Sequence, residues 1–396
     1  MITNYSVKGV CEMRDFSVGL FNDSFPPMID GVAQVVKNYA TFLNEKSCQF
    51  TVVTPDYKGV QDNYPFDVYR YPSLPATARI GYRVGVPFTP ETITKLHSKK
   101  FDIMHIHSPF ASSVLVNTIN HRPRVPVVLT YHTRFDLDIQ KRIPTAAMRK
   151  VASKFMLNNV KSADEIWVVT SACGKFLRDI GYEGSYRVME NGTDFVRGAA
   201  SAEKIAALRE QYQLYEDVPV FLFVGRMMWY KNIRIILDTL AILRDNGMDF
   251  RAFFVGDGYD LPDIKSYATD IGLQDHTVFT GPLFDREQLR VFYSITDLFL
   301  FPSTYDTCGI VVKEAAACNC PSLLVENSGA SEGAVHGENA FLALENAASC
   351  AQVVMQALSD RDNLKTVGIN AGETLYLSWS DVVDRAYARY EEILNR

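Results

Sequence analysis

The chain has 396 residues, of which 47% are hydrophobic and 22% charged. At about 150 residues per domain this length excludes a single small module, and the composition excludes a disordered or collagen-like chain. With 40 basic and 46 acidic residues the net charge is −6, which excludes a polycation built to bind nucleic acid.

The charge is unevenly spread. Residues 1–195 hold 23 Lys+Arg and 18 Asp+Glu, a net +5; residues 196–396 hold 17 and 28, a net −11. Two units with different partners, one of them anionic, fit that split, and so does ordinary variation among solvated faces. The seven cysteines follow no zinc spacing and read as reduced thiols, with Cys318 and Cys320 as small buried residues flanking a helix end. The first twenty residues carry no sustained apolar run, and no stretch of ~18 apolar residues occurs anywhere. A cytoplasmic chain is expected, at most peripheral on the inner face of a membrane.

In chain order, β-branched and aromatic runs predict strands at Phe16–Phe21, Phe50–Thr54, Phe101–His107, Val125–Tyr131, Glu165–Val169 and Tyr186–Met189. A second set follows at Val218–Val224, Phe250–Val255, Thr277–Phe279, Leu298–Phe301 and Ser322–Val325. Helical spacing recurs between them, as in Val32–Leu43, Ile233–Arg244, Arg286–Ser294 and Ala347–Leu358. Strands alternating with helices give parallel sheets, and runs such as VFLFV over 220–224 give strands covered on both faces. The pattern runs through twice, with a polar joint at Asn191–Glu203. The expectation is two doubly wound α/β domains facing a central cleft: 1–195, 196–376, and a closing helical segment 377–396. Ligands of such sheets bind beyond the carboxyl ends of strands, so the residues just after strands carry the functional information.

Five segments stand there. NDSFPPMIDGV (22–32) brings Gly31 to a helix start, a place where free N–H groups suit a phosphate, although a plain turn needs no ligand. HIHSPF (105–110) puts His105 and His107 on one face of a strand, without a third ligand for a metal. TYHT (130–133) presents His132 at a strand end, as a structural histidine or a functional one. FVGRMMWYKN (223–232) offers Gly225 for a turn and Arg226 and Lys231 as a two-cation clamp for a diphosphate; it is not a Walker loop. PSTYDTCGIVVKEAAACNCPSLL (302–324) places Asp306 in a loop, Cys308, Gly309 and Ile310 at a helix start, and Glu314 a turn further on. Two further motifs carry less. Asp136 and Asp138 form a lone D-x-D. Gly256-Asp257-Gly258 is half a dinucleotide fingerprint with Leu261 at the third glycine position, which disfavours NAD.

Taken together, HIHSPF, TYHT, NGTD (191–194), VGR…K, VGDG, TGPL (280–283) and PSTYD…GIVVKEA resemble the family-4 retaining glycosyltransferases of GT-B fold, from Phe16 to about Leu394. The resemblance implies that Arg226 and Lys231 clamp the donor diphosphate. It implies that Asp306 and Glu314 are the ends of an E-x7-E motif, Glu314 on the ribose and Asp306 near the transferred sugar. Cys308, Gly309 and Ile310 then line the donor beside Gly225, Leu283 lies near the base, Gly31 approaches the diphosphate, and His132 stands at the reacting centre. It implies no metal and no cofactor beyond the nucleotide-sugar substrate. The first Glu of the motif is Asp306 here, and Asp30-Gly31 stands where the family often has two glycines.

The stretch VYRYPSLP…YRVGVPF (68–88) is most similar to members that glucosylate diacylglycerol. That implies transfer of glucose from a UDP-linked donor to a lipid or glycan hydroxyl. A GDP-mannose-dependent mannosyltransferase and a catalytically weak nucleotide-binding subunit are the alternatives, and epimerisation or phosphorolysis would also use a cationic clamp. Residues 139–163 hold six cations (Lys141, Arg142, Arg149, Lys150, Lys154, Lys161) and no acid. Lys150, Lys154 and Lys161 share a helix face suited to anionic lipid, opposite Met148, Val151, Ala152, Phe155 and Met156, whose alternative place is the core.

Overall fold

The computed structural model describes residues 16–28, 30–75, 83–121, 123–135, 139 and 143–396. Its contacts divide the chain into two compact units. One comprises Met1–Leu129, Ser162–Asp164 and Val383–Arg396; the other comprises Thr130–Lys161 and Glu165–Val382.

The first sheet has seven strands: β1 Ser17–Phe21, β2 Gln49–Pro55, β3 Asp67–Tyr71, β6 Ile103–Ile106, β7 Val127–Tyr131, β8 Glu165–Val168 and β9 Arg187–Val188. Their order is β3-β2-β1-β6-β7-β8-β9. The short hairpin β4 Ser73–Pro75 and β5 Arg83–Gly85 stands apart from it. Helices α1 Gly31–Glu45, α2 Pro90–Lys99, α3 Ala111–Ile119, α4 Ala146–Lys161 and α5 Ser171–Asp179 make the crossovers. The second sheet holds β10 Val220–Val224, β11 Arg251–Val255, β12 Thr277–Gly281, β13 Leu298–Phe301, β14 Ser322–Val325 and β15 Phe341–Ala343, in the order β12-β11-β10-β13-β14-β15. Around it run α6 Ala202–Gln211, α7 Ile233–Asp245, α8 Leu261–Asp270, α9 Arg286–Ile295, α10 Ile310–Ala317, α11 Ala347–Ser359 and α12 Arg361–Thr374, and α13 Trp379–Leu394 closes the chain.

All its strand pairs are parallel. That is why β10 and β13 read as unbroken apolar runs: helices cover both faces and every residue of either strand is buried. Phe221, Phe223, Phe250 and Tyr293 are fully buried here, each contributing about 1.5–3 kcal/mol of transfer free energy.

The functional consequence lies in the strand order. In the first sheet the chain winds β1-β2-β3 to one side and then returns to place β6 against β1. In the second it winds β10-β11-β12 and returns to place β13 against β10. Each sheet therefore has a switch point, where adjacent loops diverge and leave a crevice. Its walls are the loops after β1 and β6 in one unit and the loops after β10 and β13 in the other.

Every strand anticipated from sequence forms, while β3, the β4–β5 hairpin and β15 are additions. Asp136, Asp138, Lys141 and Arg142 lie outside the described residues. No helix among the described residues is long and apolar enough to cross a membrane. The described cysteines are free thiols. Cys318 caps the end of α10 and Cys320 precedes β14; burial pushes the Cys318 thiol up to about 12 and Cys320 well above its ordinary value.

Candidate active site

The second unit's switch point is built on the loop after β10. Gly225 donates its N–H to Val255 O at 3.0 Å, and Met227 donates to Asp257 O at 3.0 Å. The loop 256–260 thus lies directly against the loop 225–229. Gly256 has φ +136, and a Cβ there would stand 1.9 Å from Gly225 O; a Cβ on Gly258 would stand 2.4 Å from Met227 O. Gly256 and Gly258 are there for this close backbone approach, which accounts for the glycines of the half fingerprint without a ligand. Asp260 completes the brace by accepting from the Trp229 N–H at 2.9 Å.

From the braced loop, a single 3-10 turn at Trp229–Lys231 leads into α7. Arg226 is exposed, and the Lys231 side chain is mostly buried. Asn232 adopts a left-handed conformation at the head of α7 and offers no side-chain cap. Its amide instead ties the loops together, donating to Pro302 O at 2.9 Å and to Glu345 Oε1 at 2.7 Å.

The facing wall is the loop after β13. Asp306 pairs with the Lys231 ammonium through Oδ1 and accepts from the Ser303 hydroxyl at Oδ2, 2.5 Å away. Gly329 permits this loop to pack tightly, since a Cβ there would stand 2.4 Å from Asp306 O. Thr307 Oγ1 donates to His132 O, and Thr307 O accepts from Thr170 Oγ1 at 2.7 Å. Cys308 and Gly309 then lead into α10, which opens at Ile310 without any side-chain cap. An uncapped helix start presents amides and the positive end of the dipole.

One turn into α10, Glu314 is 5% exposed. It accepts from Arg286 at 2.7 Å on Oε1 and from the Tyr293 hydroxyl at 3.0 Å on Oε2. Burial raises its pKa, and the Arg286 charge works against that rise. Arg286 also forks onto Asp194, with Nε 3.0 Å from Oδ2. His132 is 5% exposed, and burial holds its imidazole neutral, with a pKa pushed down to about 3. Leu283 lies half-buried against the core, next to Phe284, which is 77% exposed.

Thus Arg226, Lys231, His132, Asp306, Cys308, Gly309, Ile310, Leu283 and Glu314 all belong to the second unit. The structure joins Lys231 to Asp306 and the Asp306 loop to His132. Arg286, Tyr293, Asp194 and Ser303 were not read from sequence as site residues. Arg286 and Tyr293 had a usable signal: polar groups seven apart share one helix face.

Gly31 belongs to the first unit and opens α1, and a Cβ on it would meet nothing within 4 Å. Asp30 caps that helix, its Oδ1 accepting from Ala33 N at 2.8 Å. The HIHSPF motif resolves into packing. His105 Nδ1 lies 2.5 Å from the Tyr390 hydroxyl of α13, and the His105 and His107 rings meet tilted, their centroids 4.0 Å apart. Ser108 donates to Asp23. On α4, Lys150, Lys154 and Lys161 are exposed. Met148, Val151 and Phe155 are exposed too, so the core alternative fails for them, whereas Met156 is buried.

Comparison with known proteins agrees with this architecture. Anabaena HepE, solved with UDP and glucose, superposes with a TM-score of 0.76 at 18% identity, covering 95% of this chain and 99% of that one. Sucrose-phosphate synthase from Thermosynechococcus elongatus does so at 0.77 and 19%, covering 96% and 100%. The fold is therefore that of the GT-B glycosyltransferases, two parallel α/β units each with flanking helices. The model for Glycosyltransferase Family 4 matches residues 29–197, and that for Glycosyl transferases group 1 matches 204–374. The chain belongs to the family-4 glycosyltransferases. Among its relatives are alpha-monoglucosyldiacylglycerol synthases of Streptococcus pneumoniae, 24% identical over 77% of this chain and 70% of that one, and of Acholeplasma laidlawii, 24% identical over 78% and 79%. A GDP-mannose-dependent alpha-mannosyltransferase of Corynebacterium glutamicum is 23% identical over 78% and 72%.

Proposed function

We propose that the protein is a retaining hexosyltransferase that moves glucose from UDP-glucose to a hydroxyl of a glycerolipid. The observation that carries this reading is the Lys231–Asp306 pair at the β10/β13 switch point, beside two helices that start without side-chain caps. A cation at that position, with Arg226 near it in sequence, suits a diphosphate leaving group. An adjacent carboxylate suits the hydroxyls of the sugar attached to it. The similarity to two alpha-monoglucosyldiacylglycerol synthases and to a structure holding UDP and glucose supports the choice of donor and acceptor.

In this reading the bond from the anomeric carbon to the diphosphate oxygen breaks while the acceptor oxygen bonds to that carbon from the same face. The acceptor proton passes to the departing phosphate oxygen. Lys231, Arg226 and the helix amides stabilise the charge growing on the diphosphate, a role that needs no reorganisation at the moment of reaction. His132, held neutral by burial, adds no competing charge. Glu314 receives the ribose hydroxyls. The exposed apolar residues Met148, Val151 and Phe155, interleaved with Lys150 and Lys154, suit the boundary of an anionic bilayer where such an acceptor resides.

Two measurements test this. Incubation with UDP-glucose and with GDP-mannose, each with diacylglycerol in vesicles of anionic lipid, is expected to release UDP and a new α-glucoside from the first alone. Transfer from GDP-mannose instead selects the mannosyltransferase that the Corynebacterium relative suggests. A sugar phosphate or an epimer as product, or nucleotide binding with no turnover, rejects the proposal. Vesicle flotation of a variant with Met148, Val151 and Phe155 changed to Ser checks the lipid surface; unchanged flotation removes that part.

A further inference from the structure

Glu314 lies within a closed constellation inside the second unit. Arg286, the first residue of α9, spans two carboxylates: Asp194 in the loop after β9 and Glu314 on α10. Its guanidinium lies 4.3 Å over the Phe195 ring, and Phe195 meets the Tyr293 ring edge-on at 5.9 Å. Tyr293, seven residues along α9 from Arg286, completes the circuit by donating to Glu314 Oε2 at 3.0 Å. A stacked and doubly paired guanidinium is held in one orientation, which a lysine in its place would not reproduce.

The arrangement leaves Glu314 partly used. A carboxylate has about four acceptor positions, two on each oxygen. Arg286 takes one on Oε1 and Tyr293 takes one on Oε2. One position on each oxygen remains, enough for two O–H groups on neighbouring carbons. We propose that Arg286 is a positioning residue that, with Tyr293, fixes the Glu314 carboxylate to accept the vicinal ribose hydroxyls of the donor nucleotide. This deepens the reading of Glu314 given above and rests on it.

Arg286 has a second effect. Burial alone favours the protonated form of Glu314, and Arg286 counters it. The other titratable groups facing Glu314 are Asp194 and Tyr293, with Cys318 on the same stretch of chain beside Tyr293. None of these is a cation, and the next cation on α9, Arg290, acts on Cys318, so loss of Arg286 removes the charge that opposes protonation of Glu314.

The test is calorimetric binding of UDP and GDP, each beside its 2′,3′-dideoxy analogue, to the full chain and to Arg286→Met, Arg286→Lys, Tyr293→Phe and Glu314→Gln. Arg286→Met is expected to weaken the ribonucleotide about 10-fold and to leave the dideoxy analogue unchanged; Arg286→Lys should recover part of the loss. As pH falls below neutral, the Arg286→Met variant should lose affinity at a higher pH than the unmodified protein does. Added to Glu314→Gln, Arg286→Met should cost nothing more. Wild-type affinity in Arg286→Met, tighter binding, or equal losses for ribose and dideoxyribose would each overturn the proposal. Wild-type ribonucleotide affinity in Glu314→Gln would overturn the reading of Glu314 itself, and failure of UDP and GDP alike to bind would remove the donor site. If Arg286→Met does not fold, Arg286→Lys and Tyr293→Phe carry the same comparison.

Discussion

The two switch points use the same topology for opposite ends. In the first unit, the loops after β1 and β6 are drawn together by Asp23. Its carboxylate is half-buried and accepts from the Ser108 hydroxyl, the Ser112 N–H at 2.7 Å and the Ser112 hydroxyl at 2.7 Å. A second acid, Asp30, caps the helix that follows β1. In the second unit, the loops after β10 and β13 meet through a cation and an acid, Lys231 and Asp306, and neither α7 nor α10 has a side-chain cap. One crevice is closed by its own hydrogen bonds, while the other is bridged by an ion pair beside two uncapped helix starts. The lesson concerns scale. The half with net charge −11 holds the Lys231 cation and the two uncapped helix starts, and the half with +5 fills its switch point with carboxylates. Net charge describes solvated faces; the site is set by which few residues follow which strands.

The largest effect that distinguishes the two is expected at Lys231. Lys231→Ala should reduce transfer by roughly 100-fold or more, the usual consequence of losing one preorganised charge partner of a leaving group. It should leave the melting transition nearly unchanged, because β10 and α7 are held by their apolar faces. Release of nucleotide from the sugar donor measures it. Transfer at the wild-type rate would mean that the ammonium serves only to neutralise Asp306.

Asp23→Ala should do the reverse. It strands one buried N–H and two hydroxyls, so a loss of about 2–4 kcal/mol of stability is expected, read from denaturant unfolding, with nucleotide affinity unchanged. A stable variant with weakened nucleotide binding would show that the first switch point also serves the donor directly.

Much of this was legible in the sequence because doubly wound sheets announce themselves. β10 and β13 are buried on both faces, so they can only read as apolar runs, and the residues following them carry the chemistry. Lys231, Asp306 and Glu314 were singled out as candidates by that position. The short strands β3 and β15 were missed because DVYRY and FLA have no long apolar run, and pairing with β2 and β14 supplies what their composition does not. Arg286 was missed because its meaning depends on three partners distant in sequence: Asp194, Phe195 and Glu314 lie 92, 91 and 28 positions away. The purpose of Gly256 and Gly258 was illegible for the same reason, since the backbone they make room for belongs to another loop.

His132 gives the smallest and most graded test, because it flanks the second switch point through its backbone contact with Thr307. Burial pushes its pKa from 6.5 down to about 3, so the folded chain holds it neutral where an unfolded chain would already protonate it. The unfolded state therefore binds more protons below 6.5, and the folded state loses stability as pH falls from there toward about 3. One proton corresponds to about 1.4 kcal/mol per pH unit in that window, and His132→Gln, which cannot titrate, should lack this share of the slope. Chemical unfolding of both proteins across the window isolates it, because every other titrating group cancels in the difference. Parallel curves would mean that the imidazole protonates within the fold, and a charged imidazole beside the Thr307 loop would then add a third cation to the donor site rather than a neutral wall.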